Sequence, residues 1–200
     1  MMRPKPPLAL PGMRIGLLGG SFNPAHEGHR HISLAALERL GIDRLWWVVT
    51  PGNPLKSKAE LAEFPRRIAR ARGVAAHPQI DVTGFEAALP LPYTADTLSF
   101  LRARFPGVHF VWVMGGDNLV QIHRWHRWRD IFQLMPVAVV DRPGTRHKAL
   151  ASPAARRFAG ARLAEADARA LPLMQAPAWA YLTIPLSSAS STALRKAGKA

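Results

Sequence analysis

Met13-Arg14-Ile15-Gly16-Leu17-Leu18 runs into Gly19-Gly20-Ser21-Phe22-Asn23-Pro24-Ala25-His26-Glu27-Gly28-His29 in this chain of 200 residues. The first six residues are a short apolar run, and the glycine pair stops it, which predicts a buried strand with a sharp end. Asn23 reads as a helix N-cap and Pro24 as the first helical residue, where a missing N–H costs nothing. The predicted helix continues through Ile32, Ala35, Ala36 and Leu40 to a stop at Gly41. Two glycines after a strand let the backbone come close to a ligand. The helix start that follows offers unpaired N–H groups and a positive dipole end, and both attract phosphate. His26 and His29 are three residues apart and share one face of that start. Imidazole near neutral pH donates to phosphate oxygens and takes up charge beside an anion.

The same alternation extends outward. Strands are expected at 45–50, closed by Pro51-Gly52-Asn53-Pro54, and at 79–82, 108–114, 136–140 and 180–184. Helices are expected at 60–75, at 94–105 with Leu98, Leu101 and Phe105 on one stripe, over 117–133 in one or two pieces, around 153–164, and at 190–197. Apolar strands alternating with amphipathic helices specify an α/β, Rossmann-like doubly wound parallel sheet with helices on both faces. Residues 1–12 are Pro-rich and read as a loose tail, leaving 13–200 as a single domain. Trp112 reads as core. Trp46 and Trp47 are adjacent, so strand alternation sends at most one of them to the core.

The charge is strongly one-sided: 27 Lys and Arg against 13 Asp and Glu, a formal net charge of +14. That reads either as solubility and an arginine-rich composition or as an anionic partner, whether nucleic acid, lipid or polyphosphate, and composition does not choose among them. Cysteine is absent, which excludes disulfides, Cys-ligated zinc and a thiol nucleophile. The longest apolar runs, 45–49 and 110–114, are far short of a membrane span, and prolines interrupt the only leader-like stretch. A cytoplasmic protein fits. Three histidines on one helix start (His26, His29, His31) do not make a tetrahedral metal site, so no protein metal ligand is assigned. Neither GxxxxGK[ST] nor GxGxxG occurs.

Ser190-Ser191-Thr192-Ala193-Leu194-Arg195 places three hydroxyls at a helix start with an arginine one turn on, a second arrangement suited to phosphate. Together the two blocks resemble the [HT]xGH and SSTxxR signatures of the nucleotidyltransferase superfamily. Three further stretches narrow the resemblance to bacterial nicotinate-nucleotide adenylyltransferases: 50–56 (TPGNPLK), 93–98 (YTADTL), and 114–119 (MGGDNL) followed by 123–128 (HRWHRW). This chain has Asn23 where relatives more often have Asp, and Pro54-Leu55-Lys56 where they often read PHK.

The resemblance implies transfer of AMP from ATP to nicotinate mononucleotide, giving nicotinate adenine dinucleotide and pyrophosphate. The substrate supplies the nucleophile, so catalysis rests on alignment and charge stabilisation. It implies that His26 and His29 are the catalytic phosphate donors. Gly19, Gly20, Ser21, Phe22, Ser190, Ser191, Thr192, Arg195 and Asp117 fall to ATP, with Asp117 at the ribose. Asn53, Lys56, Thr94, Asp96, Trp125 and Arg142 fall to the acceptor or its phosphate, with Trp125 stacking on the pyridine ring. Mg²⁺ is implied, carried mainly by ATP phosphates. A homo-oligomer is compatible with this reading. Rival functions are an adenylyltransferase for nicotinamide mononucleotide or pantetheine phosphate, and a nucleic-acid-binding protein that uses the charge. A basic stripe interleaved with exposed aromatics would mark the last.

Overall fold

The computed structural model describes residues 5–52 and 61–185. Six strands, β1 (Arg14–Gly20), β2 (Arg44–Val49), β3 (Ile80–Thr83), β4 (His109–Gly115), β5 (Val137–Val140) and β6 (Trp179–Leu182), form one sheet in the order β3-β2-β1-β4-β5-β6. Every pairing is parallel, with Ile15 opposite Arg44 on one side of β1 and Arg14 opposite His109 on the other. Parallel neighbours need crossovers, and helices supply them. They are α1 (Glu27–Leu40), α2 (Phe64–Ala75), α3 (Thr94–Arg104), α4 (Gly116–Gln121), α5 (Trp128–Leu134), α6 (Arg146–Leu150) and α7 (Pro153–Arg157). The α/β, doubly wound parallel sheet expected from the sequence is what forms.

Strand alternation divides the interior into two clusters, one on each face. Ile15, Leu17, Trp46, Val48, Phe110 and Trp112 meet Leu98 and Leu101 of α3 and Ile131 and Phe132 of α5. Leu18, Leu45, Trp47, Val111 and Val113 meet Ile32, Ala36 and Leu40 of α1 and Ala71 and Ala75 of α2. Because both faces are covered, Trp46 and Trp47 are each 0% exposed, on opposite sides of β2. The expectation of a single buried tryptophan here was therefore wrong: in a sheet with two covered faces, alternation chooses a face without exposing either residue.

Two other boundaries differ from the sequence reading. α1 begins at Glu27, so Asn23 and Pro24 lie in the loop before it, and its N-cap is His26. Asn23 instead accepts the N–H of Ala62 on its side-chain oxygen at 3.1 Å, which ties this loop to the segment leading into α2. The helix expected near 153–164 stops at Arg157 and gives way to a 3-10 turn. Residues 5–12 form no helix or strand, although Gly12 donates to the carbonyl of Gly107 at 2.8 Å and Ala9 touches the core. The terminal helix expected at 190–197 lies outside the described residues. No helix among the described residues is long and apolar enough to cross a membrane.

Gly19, the second-last residue of β1, lies against Trp112, and a Cβ there would collide with the end of the indole. Gly19→Ala is expected to destabilise the protein by about 1–3 kcal/mol, the usual cost of overpacking a filled interior. The measurement is the urea midpoint at constant m-value; an unchanged midpoint would contradict this close approach.

Candidate active site

The strand order reverses between β1 and β4, and in sheets of this type ligands bind at the carboxyl ends of the strands where that happens. Here the strands end in Gly19-Gly20 and Gly115. A cavity of about 370 Å³ opens beside them, lined by Gly19, Gly20, Ser21, Thr50, Glu86, Tyr93, Thr94, Trp112, Arg124, Trp125 and His126, among others. The size suits one ring system and its sugar.

The start of α1 is built from histidines. His26 caps the helix by accepting the N–H of Gly28 on Nδ1 at 3.0 Å, and His29 returns the bond by accepting the N–H of His26 on its own Nδ1 at 3.3 Å. The arrangement is a capping box made by imidazoles, and it settles both tautomers. With Nδ1 occupied as an acceptor, the neutral ring carries its proton on Nε2. The rings lie 3.9 Å apart. His29 is wedged by Phe22 at 4.8 Å, which itself stacks on Trp47 at 4.9 Å. Trp47 donates its indole N–H to Ser33 Oγ at 2.7 Å, and Ser33 donates to the carbonyl of His29 at 2.8 Å. Phe22 holds a φ of +45°, a costly conformation for a bulky residue, and its burial against these rings keeps it there.

Both imidazoles are held neutral. Burial, with the nearby Arg142 guanidinium second, lowers His26 from its ordinary 6.5 to about 4. His29 is driven well below its ordinary value by burial, then by the His26 and Arg142 charges, against a small opposing backbone hydrogen bond. At neutral pH the pair presents two Nε2–H donors and no charge.

Arg142 enters from the loop after β5. Its backbone N–H donates to Asp141 Oδ1 at 2.8 Å, and the Tyr181 hydroxyl donates to the same oxygen at 2.6 Å. Asp117, in the first turn of α4, lies 3.6 Å from Arg142 Nε. Arg67 of α2 was not singled out from the sequence. It is 3% exposed, and burial lowers its pKa. Its guanidinium donates to the carbonyls of Ser21 (2.6 Å), Thr50 (2.8 Å), Pro51 (3.0 Å) and Ala62 (3.0 Å).

The sequence-predicted residues therefore separate into groups. Gly19, Gly20, Ser21, Thr94 and Trp125 line the cavity, while Phe22, His26, His29, Asp117 and Arg142 gather beside it. Asp96 is not among the lining residues; its carboxylate pairs with Arg127 at 3.2 Å, so it braces α3 against the segment before α5. Asn53, Lys56, Ser190, Ser191, Thr192 and Arg195 lie outside the described residues. Glu86, Arg124 and His126 line the cavity without having been assigned, and Trp112, read as core, lines it as well. Arg124 and His126 both sat inside the quoted 123–128 stretch; nothing in the spacing marked Glu86.

A glycine turn, a helix start bearing two neutral donors and an arginine, all at the switch point of a doubly wound sheet, define a nucleotide-binding α/β protein. Comparison with known proteins agrees. The cytidylyltransferase-like family profile matches residues 17–197. A probable nicotinate-nucleotide adenylyltransferase of Methylorubrum extorquens is 57% identical over 183 residues, 92% of this chain and 99% of that one. The protein of the same name from Parvibaculum lavamentivorans is 53% identical, covering 96% and 95%. Among solved structures, Plasmodium falciparum nicotinic acid mononucleotide adenylyltransferase complexed with NaAD shares the fold, with a TM-score of 0.67 at 20% identity over 92% of this chain and 83% of that one. The chain belongs to the cytidylyltransferase-like family of nucleotidyltransferases and, within it, to the nicotinate-nucleotide adenylyltransferases.

The depressed His26 pKa links stability to pH. The unfolded chain takes up this proton as pH falls below 6.5, whereas the folded chain refuses it until about pH 4. The contribution of His26 is thus fully present above pH 6.5 and is lost as pH falls toward 4. His26→Asn keeps a side-chain cap and removes the titrating ring. The expected result is a smaller loss of urea midpoint between these two pH values in the variant; parallel losses would contradict a neutral His26.

Proposed function

We propose that this protein transfers AMP from ATP to nicotinate mononucleotide, releasing nicotinate adenine dinucleotide and pyrophosphate. The observation that carries the reading is the adjacency of two neutral Nε2–H imidazoles at the start of α1 to a ring-sized cavity across the Gly19-Gly20-Ser21 turn. The names borne by relatives at more than half identity support the choice of substrates.

In the proposed reaction the acceptor phosphate oxygen attacks the α-phosphorus of ATP. A P–O bond forms to the acceptor as the bond to the β-phosphate bridging oxygen breaks, and that electron pair leaves with pyrophosphate. His26 and His29 donate from Nε2 to the phosphate oxygens on which charge accumulates, and Arg142 adds fixed positive charge beside them. Neutral imidazoles suit this task, because a neutral donor stabilises charge without giving its proton away. The backbone of Gly19, Gly20, Ser21 and Phe22 allows the phosphates to approach closely. Thr94 and Trp125 receive the pyridine ring, with Trp125 stacking and Thr94 donating. Asp117 takes the ATP ribose. Asn53 and Lys56 on the acceptor side, and Ser190, Ser191, Thr192 and Arg195 on the β- and γ-phosphates, rest on the motif resemblance. Mg²⁺ belongs to the same proposal, neutralising phosphate charge and entering with ATP. The described residues bring together no group of three His, Asp or Glu suited to a metal, so the phosphates would supply most of its ligands. A cytoplasmic location completes the reading.

Purified protein given ATP, Mg²⁺ and each acceptor in turn is expected to release pyrophosphate fastest with nicotinate mononucleotide. Faster release with nicotinamide mononucleotide or pantetheine phosphate would contradict the assignment. His29→Ala is expected to lower kcat about 10²- to 10³-fold in a folded protein, the typical cost of removing one preorganised charge-stabilising donor. Near-normal turnover would remove His29 from the reaction.

A further inference from the structure

Glu86 is a buried acid for which the mechanism above has no task. It sits on the 3-10 turn Phe85–Ala88 that follows β3, is 8% exposed, and lines the same cavity as Thr94 and Trp125. The Thr97 hydroxyl, from α3, donates to its Oε1 at 2.5 Å. Its other side-chain partner is the hydroxyl of Thr50, just beyond β2. Thr50 Oγ1 also lies 2.8 Å from the carbonyl of Gly52, which only accepts, so Gly52 and Glu86 compete for the single Thr50 proton. With its proton on Gly52, Thr50 meets Glu86 only as an acceptor. A proton on Glu86 satisfies all of these groups at once, since the neutral acid accepts from Thr97 and has a proton to give to Thr50.

The surroundings favour the same state. No ion pair reaches Glu86 among the described residues. Asp96 of α3 is turned to Arg127, and Arg67 of α2 spends its donors on carbonyls, including that of Thr50. The ionisable groups lining the cavity from the other elements are Tyr93 before α3, and Arg124 and His126 between α4 and α5. Burial raises the Glu86 carboxyl to about 7 even with the Thr97 and Thr50 hydroxyls counted as donors to it.

We infer that Glu86 is a specificity-determining residue of the acceptor pocket, holding a proton so that a ring bearing a carboxylate enters without a second negative charge beside it. The inference rests on the proposed reaction, in which the pyridine ring of the acceptor occupies this cavity. Ionised Glu86 repels an anionic ring substituent and leaves a neutral carboxamide unaffected. Discrimination between the two acceptors therefore depends on pH. Both carry the same phosphate, so its own titration cancels in the ratio of their KM values.

The test measures KM for nicotinate mononucleotide and for nicotinamide mononucleotide from about pH 6 to about pH 9, in wild type and in Glu86→Gln. The wild-type ratio, acid over amide, is expected to rise with pH by up to about tenfold per unit above the titration point. In Glu86→Gln, whose amide accepts and donates with no proton to lose, the ratio is expected to be flat. A flat wild-type ratio, or the same slope in the variant, overturns the role of Glu86 alone. Failure of both acceptors to release pyrophosphate overturns the proposed reaction, and the specificity role with it. A second readout needs no turnover. Difference infrared spectra of wild type against Glu86→Gln near pH 6 should show a carboxylic-acid C=O band, and its absence overturns the inference.

Discussion

Two backbone N–H groups at the first turn of α1 bond to the Nδ1 atoms of His26 and His29, and the chemistry of the site depends on that choice of atom. An imidazole has one lone-pair nitrogen when neutral. Spending it on the backbone leaves Nε2–H as the only group the ring can present to a ligand. Burial keeps the rings neutral, so the site offers donors and no nitrogen nucleophile. The same bonds cap the helix, so the orientation of the two rings and the start of α1 stand or fall together.

The rest of the site secures that turn. Phe22 is forced to positive φ and stacks between His29 and Trp47, and the Trp47–Ser33–His29 hydrogen bonds close the loop from beneath. Arg67 gathers carbonyls from both sides of the cavity mouth, Ser21 on the phosphate side and Thr50 and Pro51 at the end of β2. A buried guanidinium with four carbonyl partners keeps its charge close to the Gly19-Gly20-Ser21 turn, with no carboxylate paired to it among the described residues. Much of the +14 net charge has no such position. Among the described residues, Arg142, Arg67 and Arg124 stand at or beside the site.

Much of the fold was legible because a buried parallel sheet writes itself as short apolar runs with hard stops, and Gly19-Gly20 and Pro51-Gly52-Asn53-Pro54 supplied such stops. The start of α1 was misplaced because Asn23-Pro24 has the chemistry of a helix entry, while histidine is an unusual cap. His26 and His29 stood out as a spaced pair within a dense motif, and the resemblance drew attention to Trp125 and Thr94, which line the cavity. Arg67 and Glu86 were not. Each is one charged residue on a short amphipathic stretch, and its meaning comes from carbonyls and hydroxyls far away in the chain. Asp96 looked like a site acid for the converse reason: it stands beside Thr94 in a recognised stretch, yet α3 turns it toward Arg127.

If the histidines act only as donors, AMP passes directly from ATP to the acceptor with no covalent adenylyl-enzyme. The stereochemical course at the α-phosphorus reads this most directly, using ATP made chiral there with a single sulfur. One in-line displacement inverts the configuration, and inversion in the dinucleotide product is the result this account predicts. Retention would mean two displacements through an adenylated side chain, and would contradict the assignment of His26 and His29 as Nε2–H donors.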